Sequence, residues 1–167
     1  MNELTIINTN ARSLSPKIDS LIDCFSEMKA DISIVTETWL RCGTPLDHDL
    51  ADLEQGAGLV ALTRNREPHP TTGVCHGGVA IIYRKVIRKF KEIQFDNPDG
   101  FEVMAAVGTI QGISRKLVVV AAYIPPNYSV SRGSACIEHI ESLIIEIKRR
   151  YRDPLLVLAG DFNQWSV

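Results

Sequence analysis

Short apolar runs alternate with helical periodicity in the first part of the chain. The run from Leu4 to Asn8 predicts a strand. The Ser15-Pro16 pair predicts a helix start, with Ser15 as the cap and proline at the first helical position, where its missing N–H costs nothing. One apolar face at helical spacing follows: Ile18, Leu21, Ile22, Phe25 and Met28. A short strand from Ile32 to Thr36 comes next, so the pattern predicts a βαβ unit.

Strands dominate the middle of the chain. Leu59 to Thr63 and Val79 to Arg84 have the composition of strands, and a polar segment rich in proline and glycine joins them. Phe101 to Ile110 and Leu117 to Tyr123 predict a hairpin around Gln111-Gly112. The two prolines that follow end this hairpin, because proline cannot continue a strand ladder.

A second helix and one more strand complete the pattern. The helix is expected from about Ser134 to Tyr151, with this apolar face: Ile137, Ile140, Ile144, Ile147 and Tyr151. Leu155 to Ala159 predicts a buried strand. Strands in hairpins and crossovers, with few helices, indicate a layered α/β sandwich. The chain stops at Val167, soon after this strand, so we expect open strand edges and exposed apolar surface.

The composition fits one globular domain. The chain has 167 residues, of which 45% are hydrophobic and 23% charged, and a net charge of −2. That charge excludes binding to nucleic acid by overall charge alone, but not through a local basic surface. The N-terminus lacks a secretory signal pattern, and no apolar run approaches the ~20 residues that span a bilayer. We therefore expect a nuclear or cytoplasmic protein that is neither secreted nor bound to a membrane.

Several other residues are interpreted as structural. Four cysteines lack the spacing of a zinc site and are expected to be reduced thiols: Cys24, Cys42, Cys75 and Cys136. One basic run is interpreted as a solvated strand edge, with DNA contact as the alternative: Lys85, Arg88, Lys89 and Lys91. A second run complements the dipole at a helix C-terminus: Lys148, Arg149, Arg150 and Arg152. Trp39 is expected to pack near Glu37, with base stacking as the alternative, and His76 to lie in a loop.

Polar residues stand where four of the predicted strands end. They are Asn8-Thr9-Asn10, Glu37-Thr38-Trp39, Tyr123 and Asp161-Phe162-Asn163. In open α/β architectures ligands gather at the carboxyl ends of strands, and Asp161 directly follows an apolar run. On an extended backbone the side chains of Asp161 and Asn163 would point the same way.

Two carboxylates with amides nearby suit a hard cation. Magnesium prefers oxygen ligands and is held by one or two carboxylates, with water and substrate phosphate completing its shell. It would neutralise charge on a phosphoryl oxygen, while the second carboxylate orients or deprotonates an attacking water. Each residue also has a simpler interpretation when it is taken alone. Asn10 and Asp161 could be turn residues, and Glu37 could be a solvated charge at a strand end. Their joint order along the chain favours a site.

Five segments in this order resemble the endonuclease/exonuclease/phosphatase superfamily: INTNARSL, IVTETWL, GGVAIIYR, VVAAYIPP and LVLAGDFN. Within it they are most similar to the apurinic/apyrimidinic-type endonuclease domain of non-LTR retrotransposon polyproteins, of which the E-T-W-L and G-D-F-N segments are typical. The resemblance covers essentially the whole chain.

The resemblance implies a four-layered α/β sandwich that hydrolyses phosphodiester bonds in DNA with Mg²⁺, or with Mn²⁺ in its place. Glu37 would bind the metal, and Asn10 would assist at the metal or the phosphate. Tyr123 would hydrogen-bond the scissile phosphate. Asp161 would orient and activate the water nucleophile, and Asn163 would hold the phosphate and help to fix the transition state.

The resemblance also implies a longer domain. Members of the superfamily end with a further acidic residue and an S-D-H box, and neither is found in residues 1–167. This chain is therefore expected to be the N-terminal portion of the domain, without its C-terminal strands and with impaired activity. Two other functions stay open: a phosphatase of the same fold acting on a lipid or inositol phosphate, and a non-catalytic relic or interaction module.

Overall fold

The computed structural model describes residues 3–40, 50, 53, 56–66, 71 and 75–163. In chain order the elements are β1 (Ile6–Asn10), a 3-10 turn (Ser15–Lys17), α1 (Ile18–Glu27), β2 (Ile32–Thr36), β3 (Leu59–Arg64), β4 (Val79–Arg84), β5 (Arg88–Glu92), β6 (Glu102–Thr109), β7 (Lys116–Tyr123), α2 (Val130–Arg150) and β8 (Leu155–Asp161). The predicted strands β2, β3, β4, β6 and β7 are confirmed to within one residue at each end.

The strands form two mixed sheets of four strands each. Sheet A has the order β1-β2-β4-β3, with β1 parallel to β2 and the other pairs antiparallel. Sheet B has the order β5-β6-β7-β8, with β8 parallel to β7 and the other pairs antiparallel. α1 connects β1 to β2, and α2 connects β7 to β8, so each parallel pair belongs to a βαβ unit. The βαβ unit predicted from the first apolar pattern is confirmed.

Three apolar clusters stack the elements into four layers. The central cluster lies between the sheets and joins Ile34 and Ile81 of sheet A to Met104 of sheet B. A second cluster packs α2 on the outer face of sheet B. A third packs α1 on the outer face of sheet A through Leu21 and Phe25. The order of layers is thus α1, sheet A, sheet B and α2, and the predicted α/β sandwich is confirmed.

The start of α1 and the position of β1 differ from the prediction. Ser15 makes no capping hydrogen bond, because the 3-10 turn at Ser15–Lys17 leads into the helix and Leu14 precedes that turn. Met28 is 53% exposed, since the helix ends at Glu27 and the apolar face ends with it. β1 runs from Ile6 to Asn10 rather than from Leu4 to Asn8, so Asn8 and Asn10 lie within the strand.

The helix α2 begins four residues earlier than the predicted Ser134. Ser129 is its cap, with the Ser129 hydroxyl oxygen accepting from the amide of Arg132 at 3.3 Å. Its buried face is Gly133, Cys136, Ile140, Leu143 and Ile147. Ile137 and Ile144 are only half-buried, because small residues rather than isoleucines make the closest contacts near the start of the helix.

The strand β8 is partly exposed along its whole length, whereas the prediction for Leu155 to Ala159 was a buried strand. It is the edge strand of sheet B, as β1 is of sheet A, and within the described ranges no strand pairs with the outer side of either. The two edges lie against each other, and the side-chain amide of Asn8 donates to the carbonyl oxygen of Gly160 at 2.9 Å. Apolar surface is accordingly exposed at this edge, as expected.

Two further predictions concern the surface. The basic run ending at Lys91 lies in and just before the outer edge strand β5, and its charged side chains are exposed, as expected for a strand edge. Cys24, Cys75 and Cys136 are free thiols, and Cys42 lies outside the described residues.

In the part of the chain that the structure describes, no helix combines the length and apolarity needed to cross a bilayer.

Candidate active site

The two parallel strand pairs bring four polar side chains to one end of the sandwich. Asn10 ends β1, and Glu37 follows its neighbour β2. Tyr123 ends β7 and stands in register with Asp161 at the end of β8. Sheet A therefore contributes the first pair and sheet B the second, and the site is formed where the two sheets meet.

The side-chain amide of Asn10 joins the two carboxylates. Its nitrogen donates to Oε1 of Glu37 at 2.7 Å and to Oδ2 of Asp161 at 2.7 Å. The distance between these two oxygens is consequently no greater than the combined length of the two hydrogen bonds. The hydroxyl of Tyr123 donates to the same Glu37 oxygen at 3.1 Å. The structure thus brings together Asn10, Glu37, Tyr123 and Asp161 as one hydrogen-bonded cluster.

Asn163 is placed differently from the sequence expectation. Its backbone has φ +49, so the segment after Asp161 turns instead of continuing as a strand, and the two side chains do not point the same way. The backbone N–H of Asn163 donates to Oδ1 of Asp161 at 3.1 Å, while its side-chain amide donates to the carbonyl oxygen of Ile124 at 2.9 Å. Asn163 therefore closes an Asx-type turn that fixes the Asp161 carboxylate.

The backbone around the cluster is strained. Non-glycine residues with positive φ concentrate here: Arg12 (45°), Ser13 (84°), Glu37 (52°), Trp39 (52°) and Asn163 (49°). The loops that follow β1 and β2 hold each other in place, since Ser13 N–H donates to the carbonyl of Glu37 at 2.9 Å and Leu14 N–H to that of Thr38 at 2.9 Å. Such conformations persist only where surrounding contacts enforce them, and they cluster at functional sites.

A buried carboxylate that was not predicted from the sequence lies beneath the cluster. Glu102 is 3% exposed, and its carboxylate accepts hydrogen bonds from the Arg66 guanidinium and from the backbone N–H of Gly78. It is the cross-strand register partner of Tyr123. The available signal was its position, because Glu102 opens an otherwise apolar strand where a buried side chain is expected.

Glu102 connects the Gly77-Gly78 segment to the rest of the site. The carbonyl of Gly77 accepts from Trp39 N–H at 2.9 Å, which ties this segment to the loop that carries Glu37. Gly77 has φ +96, and a Cβ there would stand 2.5 Å from Oε2 of Glu102. Only glycine allows the backbone to approach this carboxylate so closely.

Burial and neighbouring charge shift two groups at the site. Burial raises the pKa of Tyr123, and the Glu37 carboxylate beside it raises that pKa further, so the phenol stays protonated and remains a donor at neutral pH. Burial also raises the pKa of Glu102, which the positive charge of Arg66 counteracts only in part. Both shifts follow from the low exposure of this end of the sandwich.

The donor set fits a hard divalent cation better than zinc. Among the described residues, no group of three or more His, Cys, Asp and Glu side chains is close enough to hold a metal ion. Two carboxylates with an amide nearby are what magnesium uses, because it keeps several waters in its shell. Glu37 and Asp161 are therefore the residues that could hold Mg²⁺ or Mn²⁺, with Asn10 beside them.

Trp39 and the described histidines lie outside the hydrogen-bonded cluster. Trp39 packs edge-on against His76 with ring centroids 4.6 Å apart, and His76 lies exposed in a loop, as predicted. His139 lies on α2 between Phe95 and Phe101, away from the carboxylates. His48 and His69 lie outside the described residues.

Known proteins support the fold. The sequence model of the Endonuclease/Exonuclease/phosphatase family matches residues 2–166. No curated protein matches the chain. An AP endonuclease from Archaeoglobus fulgidus superposes with a TM-score of 0.61 at 17% identity, covering 96% of this chain and 57% of that one.

Two further solved structures are similar. A humanized D. rerio TDP2 gives a TM-score of 0.63 at 17% identity, with 98% of this chain and 67% of that one covered. The endonuclease domain of TRAS1, a telomere-specific non-LTR retrotransposon, gives 0.56 at 14% identity, with 95% and 59% covered. The chain thus spans between 57% and 67% of the length of these three structures.

Proposed function

Because the chain belongs to the endonuclease/exonuclease/phosphatase family, we propose that it is a divalent-metal-dependent phosphodiesterase that nicks DNA. The observation that carries this proposal is the amide of Asn10, which bridges Glu37 and Asp161 at 2.7 Å each. The two carboxylates come from different sheets, so their convergence is a product of the fold and not of local sequence. Similarity to the TRAS1 domain supports a retrotransposon endonuclease as the specific class.

The roles follow from the positions of the side chains. Glu37 would hold Mg²⁺, with Asn10 beside it, and the cation would supply positive charge to a phosphoryl oxygen. Asp161 would orient the attacking water and accept its proton, because the backbone N–H of Asn163 and the amide of Asn10 hold its carboxylate in one orientation. Tyr123 would donate to the scissile phosphate with the hydroxyl that now bonds Glu37.

Asn163 would reach the phosphate only after a change in its side chain, since its amide donates to the carbonyl of Ile124. Its first role in this proposal is to hold Asp161 through the backbone. Its second, to bind phosphate as charge develops, requires that the bond to Ile124 be exchanged for one to substrate.

DNA is the proposed substrate. One similar protein, a 3′ phosphatase from Neisseria, was solved with a product DNA hairpin, and D. rerio TDP2 with a single-strand DNA product. The test is nicking of supercoiled plasmid with Mg²⁺, with Mn²⁺ in parallel. Because the 167-residue chain spans only part of the similar structures, we expect slow nicking when this chain is assayed by itself.

Matched variants test whether the carboxylate cluster is responsible for the nicking. Glu37→Gln and Asp161→Asn should each abolish the nicking, while Asp23→Asn, on the exposed side of α1, should nick at the wild-type rate. Calorimetric titration with Mn²⁺ gives a second readout, in which Glu37→Gln loses binding. Nicking that survives both substitutions, or hydrolysis of an inositol phosphate in preference to DNA, would refute the proposal.

A further inference from the structure

A basic cavity lies on the outer face of sheet B, beside the C-terminal end of α2. Its volume is about 710 Å³. Four cationic side chains line it, and two aromatic residues, Phe90 and Tyr151, are also among its lining. The groove is formed by the four cations and Tyr151: Lys89, Lys91, Lys116, Arg150 and Tyr151. We call these five residues the basic groove. From the sequence, Lys89 and Lys91 were interpreted as a solvated strand edge. Arg150 was interpreted as a complement to the helix dipole, and Tyr151 as part of an apolar helix face. The fold brings them to one place together with Lys116.

Among the described residues, the lysines of the basic groove have no acidic partner. No carboxylate from these ranges lines the cavity, and no ion pair there involves Lys89, Lys91 or Lys116. Other cations are paired, as Arg115 is with Asp153 at 3.0 Å. Four like charges on one surface give it a positive potential, which attracts an anionic ligand.

The backbone of β5 presents two of the lysines together. The pairing of β5 with β6 shifts register between Arg88 and Lys91, and Lys89 has φ +53 within this bulge. Phe90 points between the sheets, where it is 8% exposed, which leaves Lys89 and Lys91 on the outer face. Bulges of this kind re-aim side chains next to functional sites.

An aromatic ring completes the groove. Tyr151 follows the last residue of α2 and is half-buried, and the guanidinium of Arg150 lies 5.8 Å from its ring centroid. A positively charged groove with an aromatic face is the arrangement that binds single strands of nucleic acid, because the cations follow the phosphates and the ring stacks on a base. A duplex keeps its bases stacked inside and would leave Tyr151 without a partner.

We propose that the basic groove binds single-stranded nucleic acid. Lys89, Lys91, Lys116 and Arg150 contact backbone phosphates, and a base stacks on Tyr151. This site is separate from the candidate active site, because Lys116 and Tyr123 stand at opposite ends of β7, roughly 23 Å apart for seven residues of strand. A single strand held here does not occupy the carboxylate cluster.

The experiment measures fluorescence anisotropy of a labelled DNA single strand of about 20 nucleotides in EDTA, so that hydrolysis plays no part. Affinity should fall with salt between about 50 and about 200 mM, with a logarithmic slope of about −3 for four phosphate contacts. Lys91→Gln and Lys116→Gln should each reduce the slope by about 0.7. Lys29→Gln, an exposed lysine outside the groove, should leave it unchanged.

A second pair of variants tests the stacking. Tyr151→Ala should weaken binding about 10-fold, while Tyr151→Phe, which keeps the ring, should bind as the wild type does. Thermal melting of each variant checks that it is folded. A slope unaffected by Lys91→Gln and Lys116→Gln would overturn the proposal. So would single-strand binding that Tyr151→Ala leaves unchanged. The proposed nuclease activity is measured separately and can fail or succeed on its own.

Discussion

Asn10 links two carboxylates through a single amide nitrogen, and this arrangement makes the candidate site sensitive to one side chain. Each hydrogen bond measures 2.7 Å, and each acceptor is a carboxylate oxygen. Hydrogen bonds to charged groups are stronger than neutral ones, although exposure to water reduces their net contribution. Without this amide, two negative charges face each other with no donor between them.

Asn10→Ala should therefore lower the free energy of unfolding by about 1 kcal/mol in EDTA. Added Mg²⁺ should narrow that difference, because a cation replaces the missing donor between Glu37 and Asp161. Urea denaturation with and without Mg²⁺ measures both effects. Asn8→Ala is the matched control, since it removes one hydrogen bond to the backbone carbonyl of Gly160 and no contact with a carboxylate. If Mg²⁺ leaves the loss of unfolding free energy caused by Asn10→Ala unchanged, the cation does not replace the missing donor.

Glu102 gives a prediction about pH. Its pKa in the folded state is raised above the ordinary value of about 4.3, so the folded protein binds this proton more tightly than the unfolded chain does. The resulting stability is fully present below about pH 4.3 and is lost as the pH rises through the folded-state pKa. The stability of the wild type relative to Glu102→Gln should consequently decrease between about pH 4 and about pH 7. Urea denaturation of both proteins across this pH range measures the difference in their free energies of unfolding. A stability advantage of the wild type that grows with pH would contradict the prediction.

Single residues also show where sequence reasoning succeeds and where it stops. Glu37 and Asp161 could be predicted because each follows an apolar strand, so the pattern alone places them at strand ends. The buried pair of Glu102 and Arg66 could not be predicted, because its partners are 36 residues apart and meet only after both sheets form. The turn at Asn163 could not be predicted either, since its positive φ depends on hydrogen bonds to Asp161 and Ile124.

Among the strands and helices, the parallel pair β7–β8 depends on a glycine. Gly160 has φ +154 and stands in register with Ala122, and a Cβ on it would collide with the carbonyl oxygen of that alanine. Asp161 comes next in the chain, so this close approach also sets the position of the carboxylate. No rotamer change can relieve the collision, because the atoms involved belong to the backbone.

Gly160→Ala should destabilise the protein by about 3 kcal/mol. Gly112→Ala is the control: its φ of +83 strains an alanine, but no atom lies within 4 Å of a Cβ there, so it should cost only about 1 kcal/mol. Chemical denaturation compares the two. Equal losses would mean that backbone strain, and not the collision at β7–β8, limits position 160.

The existence of the elements was more predictable than their ends. Strands β2 and β4 match their predicted ranges because their apolar runs end where polar residues begin. The start of α2 was missed because Ser129, five residues before the expected Ser134, offers the capping oxygen. A cap is chosen by backbone geometry at the turn, and several serines and prolines in this sequence satisfy the same local rule.

On one side of the whole molecule β1 and β8 form neighbouring sheet edges, and the apolar side chains of β8 are half-exposed there. Within the described ranges neither edge is covered by another strand. Unpaired edges of this kind promote association through added strands. The apolar run of β8 is therefore solvent-accessible in this chain, although its composition suits a buried strand.

The 167-residue chain should self-associate in a concentration-dependent manner, as measured by size-exclusion chromatography with light scattering. Thr9→Lys, which adds a charge on the exposed part of β1, should shift the equilibrium toward monomer. Ser20→Lys adds the same charge on α1 and should have little effect. A chain that stays monomeric at all concentrations would show that these edges are protected in some other way.

The four strands of each sheet also come from one uninterrupted segment of the chain. Sheet A is complete at Arg84 and sheet B begins at Arg88, so only three residues connect them. Cutting this link would yield two fragments, one with Asn10 and Glu37 and the other with Tyr123 and Asp161. Neither fragment could assemble the cluster by itself. Recovery of divalent-cation binding after mixing would therefore report reassembly of the sandwich, which makes this chain a natural scaffold for split-protein complementation.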